Sequence, residues 1–295
     1  MGVTILETIQ RGAQFLQNKG VESHRLQSEL LVAHALGMPR LRLYLDFERQ
    51  LTEEELDRVR ALVTRRARRE PLQHIVGSVS FCGLELVVSP AVLIPRPETE
   101  LLAEHAWQYL DQRAKETAAS LTALDFGTGS GCLALAIASH CPTVHLTALD
   151  VSAAALDVAR ANAVRHGKEA VRFLLGNGFA ALPKEDAGGV YGSNFDLIVA
   201  NPPYIPGAEI ERLEPEVRDF DPRSALDGGV DGLDFMRRLA SEAGAWLRKP
   251  GRLMVEFGDG QEAAVRGIFQ LAGWRLEAVV RDLNGTPRFV VCDRP

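Results

Sequence analysis

Leu124–Ala138 reads "LDFGTGSGCLALAIA": the end of an apolar run suited to a buried strand, a turn bearing Gly127, Gly129 and Gly131, then a helix-length apolar stretch. Glycines at a strand-to-helix turn let the backbone approach a ligand, and the helix N-terminus offers free N–H groups. Alone, the pattern suits a dinucleotide, another nucleotide or a plain tight turn. Its surroundings settle the fold class. Apolar runs recur at "LTALDF", "VHLTALD", "VRFLLG", "FDLIVA", "GRLMVEFG", "WRLEAVV" and "RFVVCD". Helical stretches are expected between the first six, whereas only "RDLNGTP" joins the last two. Such alternation predicts an α/β fold with a doubly wound, mostly parallel sheet of seven strands. The last strand must be antiparallel, because a parallel return needs a long crossover.

Residues 1–74 read as a small helical N-terminal domain. "TILE" (Thr4–Glu7) and "TEEE" (Thr52–Glu55) match the capping box. "HRLQSELLVAHALG" sets Leu26, Leu30, Val32/Ala33 and Leu36 near one face, with Gly37 as the stop. "TRRARRE" closes the last helix: Arg65, Arg66, Arg68 and Arg69 either complement the helix dipole, acids first and bases last, or form a patch for an acidic partner. "HIVGSVSFCGLELVVS" predicts a hairpin turning at Cys82-Gly83. The expected division is therefore a helical domain at 1–74, a hairpin linker at 75–90 and the α/β domain at 91–295. In "LIPRPETELLAEHAWQYL", Pro97 fits the first turn of a helix and the paired prolines stiffen the approach around Arg96.

The 295 residues carry a net charge of −6, and residues 1–75 balance twelve bases against ten acids. That argues against a dedicated nucleic-acid-binding protein. Cys82, Cys132, Cys141 and Cys292 are scattered, and the seven histidines do not join them, so neither a disulfide framework nor a metal site is expected. No basic start leads into an apolar core and no run is long enough to span a membrane, which predicts a cytoplasmic protein.

Two acids sharpen the glycine turn. Asp125 precedes it and could attract an ammonium group; Asp150 ends the next strand, at the distance typical of an acid that accepts the two hydroxyls of a ribose. Asp150 could otherwise only cap the helix after it. The third strand ends at Asn177-Gly178 and the fourth, "FDLIVANPPYIP", at Asn201. Ligands of doubly wound sheets sit beyond such carboxyl ends.

Taken together, "LIPRPETE", "DFGTGSG", "ALDVS", "NPPYI" and "ALDGGVDGLDF" resemble the class I S-adenosylmethionine-dependent methyltransferases, and more narrowly the HemK/PrmC family. The resemblance implies transfer of a methyl group from S-adenosylmethionine to the side-chain amide of the glutamine in the GGQ motif of class 1 peptide chain release factors. It implies S-adenosylhomocysteine as product, release factors as partners, and no direct nucleic acid, membrane or metal. By position it assigns Gly127, Thr128, Gly129, Ser130 and Gly131 to the methionine part of the cofactor, Asp150 to the ribose, and Asn177 with Gly178 to the adenine. Asn201 also borders the cofactor. Where this chain has Asn177-Gly178, the family commonly carries Asp followed by a bulky residue, so a backbone-dominated contact is expected.

The catalytic and substrate-binding residues implied are Asn201, Pro202, Pro203 and Tyr204. An amide nitrogen is a poor nucleophile, and its N–H is too weakly acidic for ordinary side chains to remove before attack. Positioning is the alternative: the Asn201 side-chain oxygen and the Pro202 carbonyl each accept one N–H, the prolines fix the carbonyl, and Tyr204 packs on the amide plane. Ile205–Asp231 is expected to form a lid over the protein substrate, with Arg96 opposite. Three rivals remain. An adenine-specific nucleic-acid methyltransferase could use the same tetrapeptide but would need a basic recognition surface. A nicotinamide-dependent dehydrogenase has no use for "NPPY". A binding protein that merely kept the fold is the third.

Overall fold

A computed structural model of the chain describes residues 2–183 and 195–293. They divide into two compact units, Met1–Ser78 with Glu214–Phe220, and Val79–Leu213 with Asp221–Pro295.

The first unit contains α1 (Ile5–Gln17), α2 (His24–Leu36), α3 (Arg40–Leu43), α4 (Glu53–Ala67) and α5 (Leu72–Val76). Both capping boxes form: Glu7 N–H donates to Thr4 Oγ1 and Thr4 N–H to Glu7 Oε2, each at 3.2 Å, and Thr52 and Glu55 repeat the exchange. Ile5, Ile9, Leu16, Leu31, Val32, Val59 and Val63 make the core. The buried face of α2 differs from the expectation. Leu26 is exposed, while Ser28 and Glu29 are buried. Both polar groups are satisfied inside: Ser28 Oγ donates to the Ile9 carbonyl at 2.9 Å, and Glu29 accepts from Tyr44 Oη at 2.7 Å and pairs with Arg25 and Arg40. The arginine run is largely committed as well. Arg65 forks onto Glu70, and Arg66 and Arg69 both pair with Glu216 of the short helix α9 (Pro215–Arg218), Arg69 also with Glu214.

"HIV" continues the helical region rather than starting the hairpin: α5 runs to Val76 and stops at Gly77, at φ +82°. The hairpin strands are β1 (Ser78–Phe81) and β2 (Leu84–Val87). After them come α6 (Pro97–Glu116), β3 (Thr122–Phe126), α7 (Cys132–His140), β4 (His145–Asp150), α8 (Ala153–Arg165), β5 (Arg172–Leu175) and β6 (Phe195–Ala200). The chain ends with α10 (Asp234–Glu242), β7 (Leu247–Glu256), α11 (Glu262–Leu271), β8 (Arg275–Arg281) and β9 (Pro287–Asp293). The seven-stranded sheet has the order β5-β4-β3-β6-β7-β9-β8, with β9 antiparallel to both its neighbours. After β5 the described chain makes a single 3₁₀ turn at Gly178–Ala181; 184–194, part of the helical connection expected there, lie outside the described residues.

The central strands β3, β4 and β6 are buried on both faces, which is why they read as unbroken apolar runs, whereas the edge strand β8 is largely exposed. Along β3, Ala123 joins the layer that holds Leu102 of α6 and Leu133 of α7, while Leu124 and Phe126 join the layer with Met236 of α10 and Phe269 of α11. Phe126 stands beside Leu149 on one side and Ala200 on the other, and Ala200 stands beside Val255, so the ends of β3, β4, β6 and β7 lie level. Among the described residues, no helix is long and apolar enough to cross a membrane, and no group of three His, Cys, Asp or Glu is placed to hold a metal ion.

Candidate active site

An open cleft lies at the carboxyl ends of β3, β4, β5 and β6. Its walls include Gly127, Thr128, Gly129 and Ser130 after β3, Asp150 at the end of β4, Asn177 and Gly178 after β5, and Asn201, Pro202 and Pro203 after β6. Nearly every residue singled out from the sequence thus meets in one place. Three do not line it among the described residues: Asp125, Gly131, which caps α7, and Tyr204.

The glycine turn is held from behind. The Gly127 and Thr128 N–H groups both donate to the Leu149 carbonyl at 2.9 Å. Asn162 of α8, fully buried, donates to the Ser130 carbonyl at 3.0 Å and exchanges hydrogen bonds with the backbone of Val87 on the hairpin. Asp125 is completely buried and outside the cleft lining, contrary to the expectation of a direct ammonium contact. Its Oδ2 accepts the Thr128 hydroxyl at 2.6 Å and the Ala134 N–H at 3.1 Å. Burial pushes its carboxyl up to about 7 despite those two hydrogen bonds.

Asp150 is not the helix cap: Ser152 Oγ takes that role by accepting the Ala155 N–H. The Asp150 carboxylate accepts Gly129 N–H at 2.9 Å on one oxygen and Ser152 N–H at 2.8 Å on the other. Each oxygen keeps a lone pair for a further donor.

Arg238 of α10 is a cleft residue with no counterpart among those singled out from the sequence. Its guanidinium donates to Asn177 Oδ1 at 2.5 Å and to the Asn177 carbonyl at 2.8 Å, and its Cζ lies 5.8 Å from the Phe126 ring centre. This explains Gly178: at φ +63°, a Cβ there would fall 2.5 Å from Arg238 Nη2 and 3.0 Å from Phe126 Cζ. The space that a bulky neighbour of Asn177 would occupy is taken by an arginine from another element.

Asn201 donates through Nδ2 to Thr99 Oγ1 at 3.0 Å. Tyr204 is fixed from the C-terminal side of β7: its carbonyl accepts from Gln261 Nε2 at 2.8 Å, and its ring packs against Gly258. Burial holds its hydroxyl up at about 12. The "DGGVDG" segment packs on the same backbone, so that a Cβ at Gly232 would come within 2.3 Å of the Tyr204 carbonyl oxygen. The base of the expected lid is stitched by Ile205 N–H to Leu226, Gly228 N–H to Ile205 and Gly207 N–H to Gly229. Beyond it Pro222, Ser224 and Ala225 line the cleft. Arg96 also lines it, and pairs at 2.7 Å with buried Asp221.

Residues 7–77 match the PrmC N-terminal domain model, and residues 99–214 match the methyltransferase small domain. A release factor glutamine methyltransferase of Geobacter sulfurreducens is 45% identical over 287 residues, 97% of this chain and 95% of the relative. The chain belongs to the release factor glutamine methyltransferase family. A second relative of that name, from Chlorobaculum tepidum, is 41% identical over 290 residues, covering 98% and 97% of the two chains. The solved methyltransferase from Pyrococcus furiosus shares the fold, with a TM-score of 0.50 at 20% identity over 78% of this chain and 98% of its own. As a member of this family the chain is a methyltransferase. Arg238, Asn162 and Gln261 carry no signal in the sequence because each reaches the cleft or its supports from a separate element with no local pattern to announce it. Thr99 lies within "LIPRPETE" without its contact to Asn201 being visible there.

Proposed function

We propose that the enzyme transfers a methyl group from S-adenosylmethionine to the side-chain amide nitrogen of the GGQ glutamine of class 1 release factors. The observation that carries this reading is the meeting of two motifs at one cleft: the glycine turn with Asp150, and Asn201-Pro202-Pro203. The cleft suits the cofactor. At Gly127 and Gly129 nothing lies within 4 Å of where a Cβ would be, so the turn presents open backbone, and Ser130 Oγ is buried without a partner. The turn would hold the amino-acid part, Asp150 the ribose hydroxyls, and Asn177-Gly178 with Arg238 the adenine. When bound, the cofactor supplies a methyl group on a cationic sulfur that leaves as a neutral thioether.

The protein's own work is alignment. With Nδ2 of Asn201 engaged at Thr99, its Oδ1 is left to accept a substrate N–H. The Pro202 carbonyl, on a backbone stiffened by two prolines, accepts the other. The amide nitrogen is then held with its weakly available lone pair toward the methyl carbon, and positive charge growing on its N–H groups meets two fixed oxygens. The methylated nitrogen, then strongly acidic, releases one of those protons to water.

The test incubates enzyme and labelled cofactor with a release factor whose GGQ glutamine is intact or replaced by alanine. Label on the intact protein alone is expected; equal labelling of both, or label only on DNA or RNA, would reject the reading. A binding prediction accompanies it. Arg238→Ala removes the donors that orient Asn177 and opens the adenine end. Affinity for S-adenosylhomocysteine should drop roughly 5- to 30-fold, or about 1–2 kcal/mol, by titration calorimetry.

A further inference from the structure

An asparagine amide has two chemically opposite ends, and Asn201 is useful only with its oxygen toward the substrate. Something must hold it that way. Two buried residues meet its NH₂ end. Thr99, in the first turn of α6, is 1% exposed and accepts from Nδ2 at 3.0 Å. Glu256, the last residue of β7, is 4% exposed. Because Ala200 pairs with Val255 in parallel register, Asn201 and Glu256 follow as neighbours at the ends of adjacent strands. The Thr99 hydroxyl and the Asn201 side chain both lie close enough to the Glu256 carboxylate to favour its ionised form. Thr99 can therefore accept from Asn201 while donating to Glu256, a directed chain that admits one orientation of the amide.

We propose that Glu256 is a positioning residue of the methyl transfer: with Thr99 it holds the NH₂ of Asn201 inward, so that Oδ1 faces the reacting amide. The proposal rests on the reading of Asn201 as an amide acceptor. The negative charge behind the NH₂ group also polarises Asn201 and makes its outward oxygen a stronger acceptor as charge develops on the substrate.

The charged and titratable groups around Glu256 are Glu98 of α6, Cys132 of α7, Arg288 of β9 and Tyr204. Arg288 is shared, lying 2.7 Å from Asp282 and 3.5 Å from Glu98. Burial accordingly pushes the Glu256 carboxyl up to about 7, offset in part by the hydrogen bonds of Thr99 and Asn201. Ionised, Glu256 only accepts; protonated, it carries a donor that competes with the Asn201 NH₂ and loosens the orientation. Turnover should rise with pH through about 7 and level off above it.

Glu256→Gln tests this. A glutamine keeps the shape but presents one acceptor and one NH₂, which is satisfied best if Asn201 turns its oxygen inward. We expect kcat to fall about 10- to 100-fold. Affinity for S-adenosylhomocysteine by calorimetry should stay within about twofold, and the acid limb of the pH profile should disappear. Stability offers a second readout. A carboxyl near 7 when folded and near its ordinary value when unfolded contributes stability at low pH that is lost as pH rises through about 7. Wild type should lose this contribution and Glu256→Gln should not. Thr99→Val, which keeps shape but breaks the chain, should also slow kcat, and Thr99→Ser should restore it.

Wild-type kcat with an intact acid limb in Glu256→Gln overturns the proposal, as does wild-type kcat in Thr99→Val if Glu256→Gln does not fold. Asn201→Ala measured in parallel separates the two levels. Full turnover there rejects the role of Asn201 itself, whereas a slow Asn201→Ala beside a wild-type Glu256→Gln rejects only the positioning.

Discussion

Asn201→Ala is expected to lose about 30- to 1,000-fold in turnover, 2–4 kcal/mol of transition-state stabilisation, while still binding S-adenosylhomocysteine. Truncation at Cβ removes the side-chain acceptor for the substrate N–H but leaves the glycine turn and Asp150 untouched. The lost contact matters most in the transition state, where the amide N–H groups become more positive than in the ground state, so kcat should carry the loss and KM should change little. Pro202 remains, and its carbonyl still accepts one N–H, which sets a floor to the damage. Steady-state kinetics with a release factor, together with calorimetry, decide the matter. Turnover within threefold of wild type would show that Asn201 does not act on the reacting amide, and a matching collapse of cofactor affinity would show that it serves the nucleoside instead.

The centre of the sheet could be read from the chain because β3, β4 and β6 are buried on both faces, which turns each into an apolar run that needs no partner to be seen. Where burial depends on a distant partner, the pattern misleads. In α2, Ser28 and Glu29 face inward because the Ile9 carbonyl, Arg40 and Tyr44 wait there, and Leu26 is left outside. "HIV" looks like a strand by its branched residues, yet Pro71 precedes the helical turn and Gly77 ends it. Local propensity lost to capping.

The site divides along the same line. The glycine turn and "NPPY" are contiguous, because backbone geometry at those points has to be built from consecutive residues. Their supports are not. Arg238 stands 61 residues from Asn177, and Thr99 stands 102 residues from Asn201. "DGGVDG" is legible as a motif without its reason being visible. Its glycines admit the backbone of the tetrapeptide, with a Cβ at Gly228 only 2.9 Å from the Pro203 carbonyl oxygen. The segment therefore braces the Asn201–Tyr204 turn at its base, while Pro222, Ser224 and Ala225, which precede it in the chain, line the cleft wall.

Asp150→Ala should weaken S-adenosylhomocysteine binding about 100- to 1,000-fold, or roughly 3–4 kcal/mol. Two effects combine. The variant loses an ionised acceptor for two ribose hydroxyls, and hydrogen bonds to a charged group contribute more than neutral ones. It also releases the Gly129 N–H, now held at 2.9 Å, so the turn itself loses a fixed point. An analogue lacking the 2′-hydroxyl separates the two. Wild type should bind it markedly more weakly than the parent compound, whereas Asp150→Ala should bind both alike, because the partner of that hydroxyl is already gone. If the variant still discriminates between them, the ribose is recognised elsewhere and Asp150 serves only to brace the turn. Affinity within threefold of wild type would remove Asp150 from the cofactor site altogether.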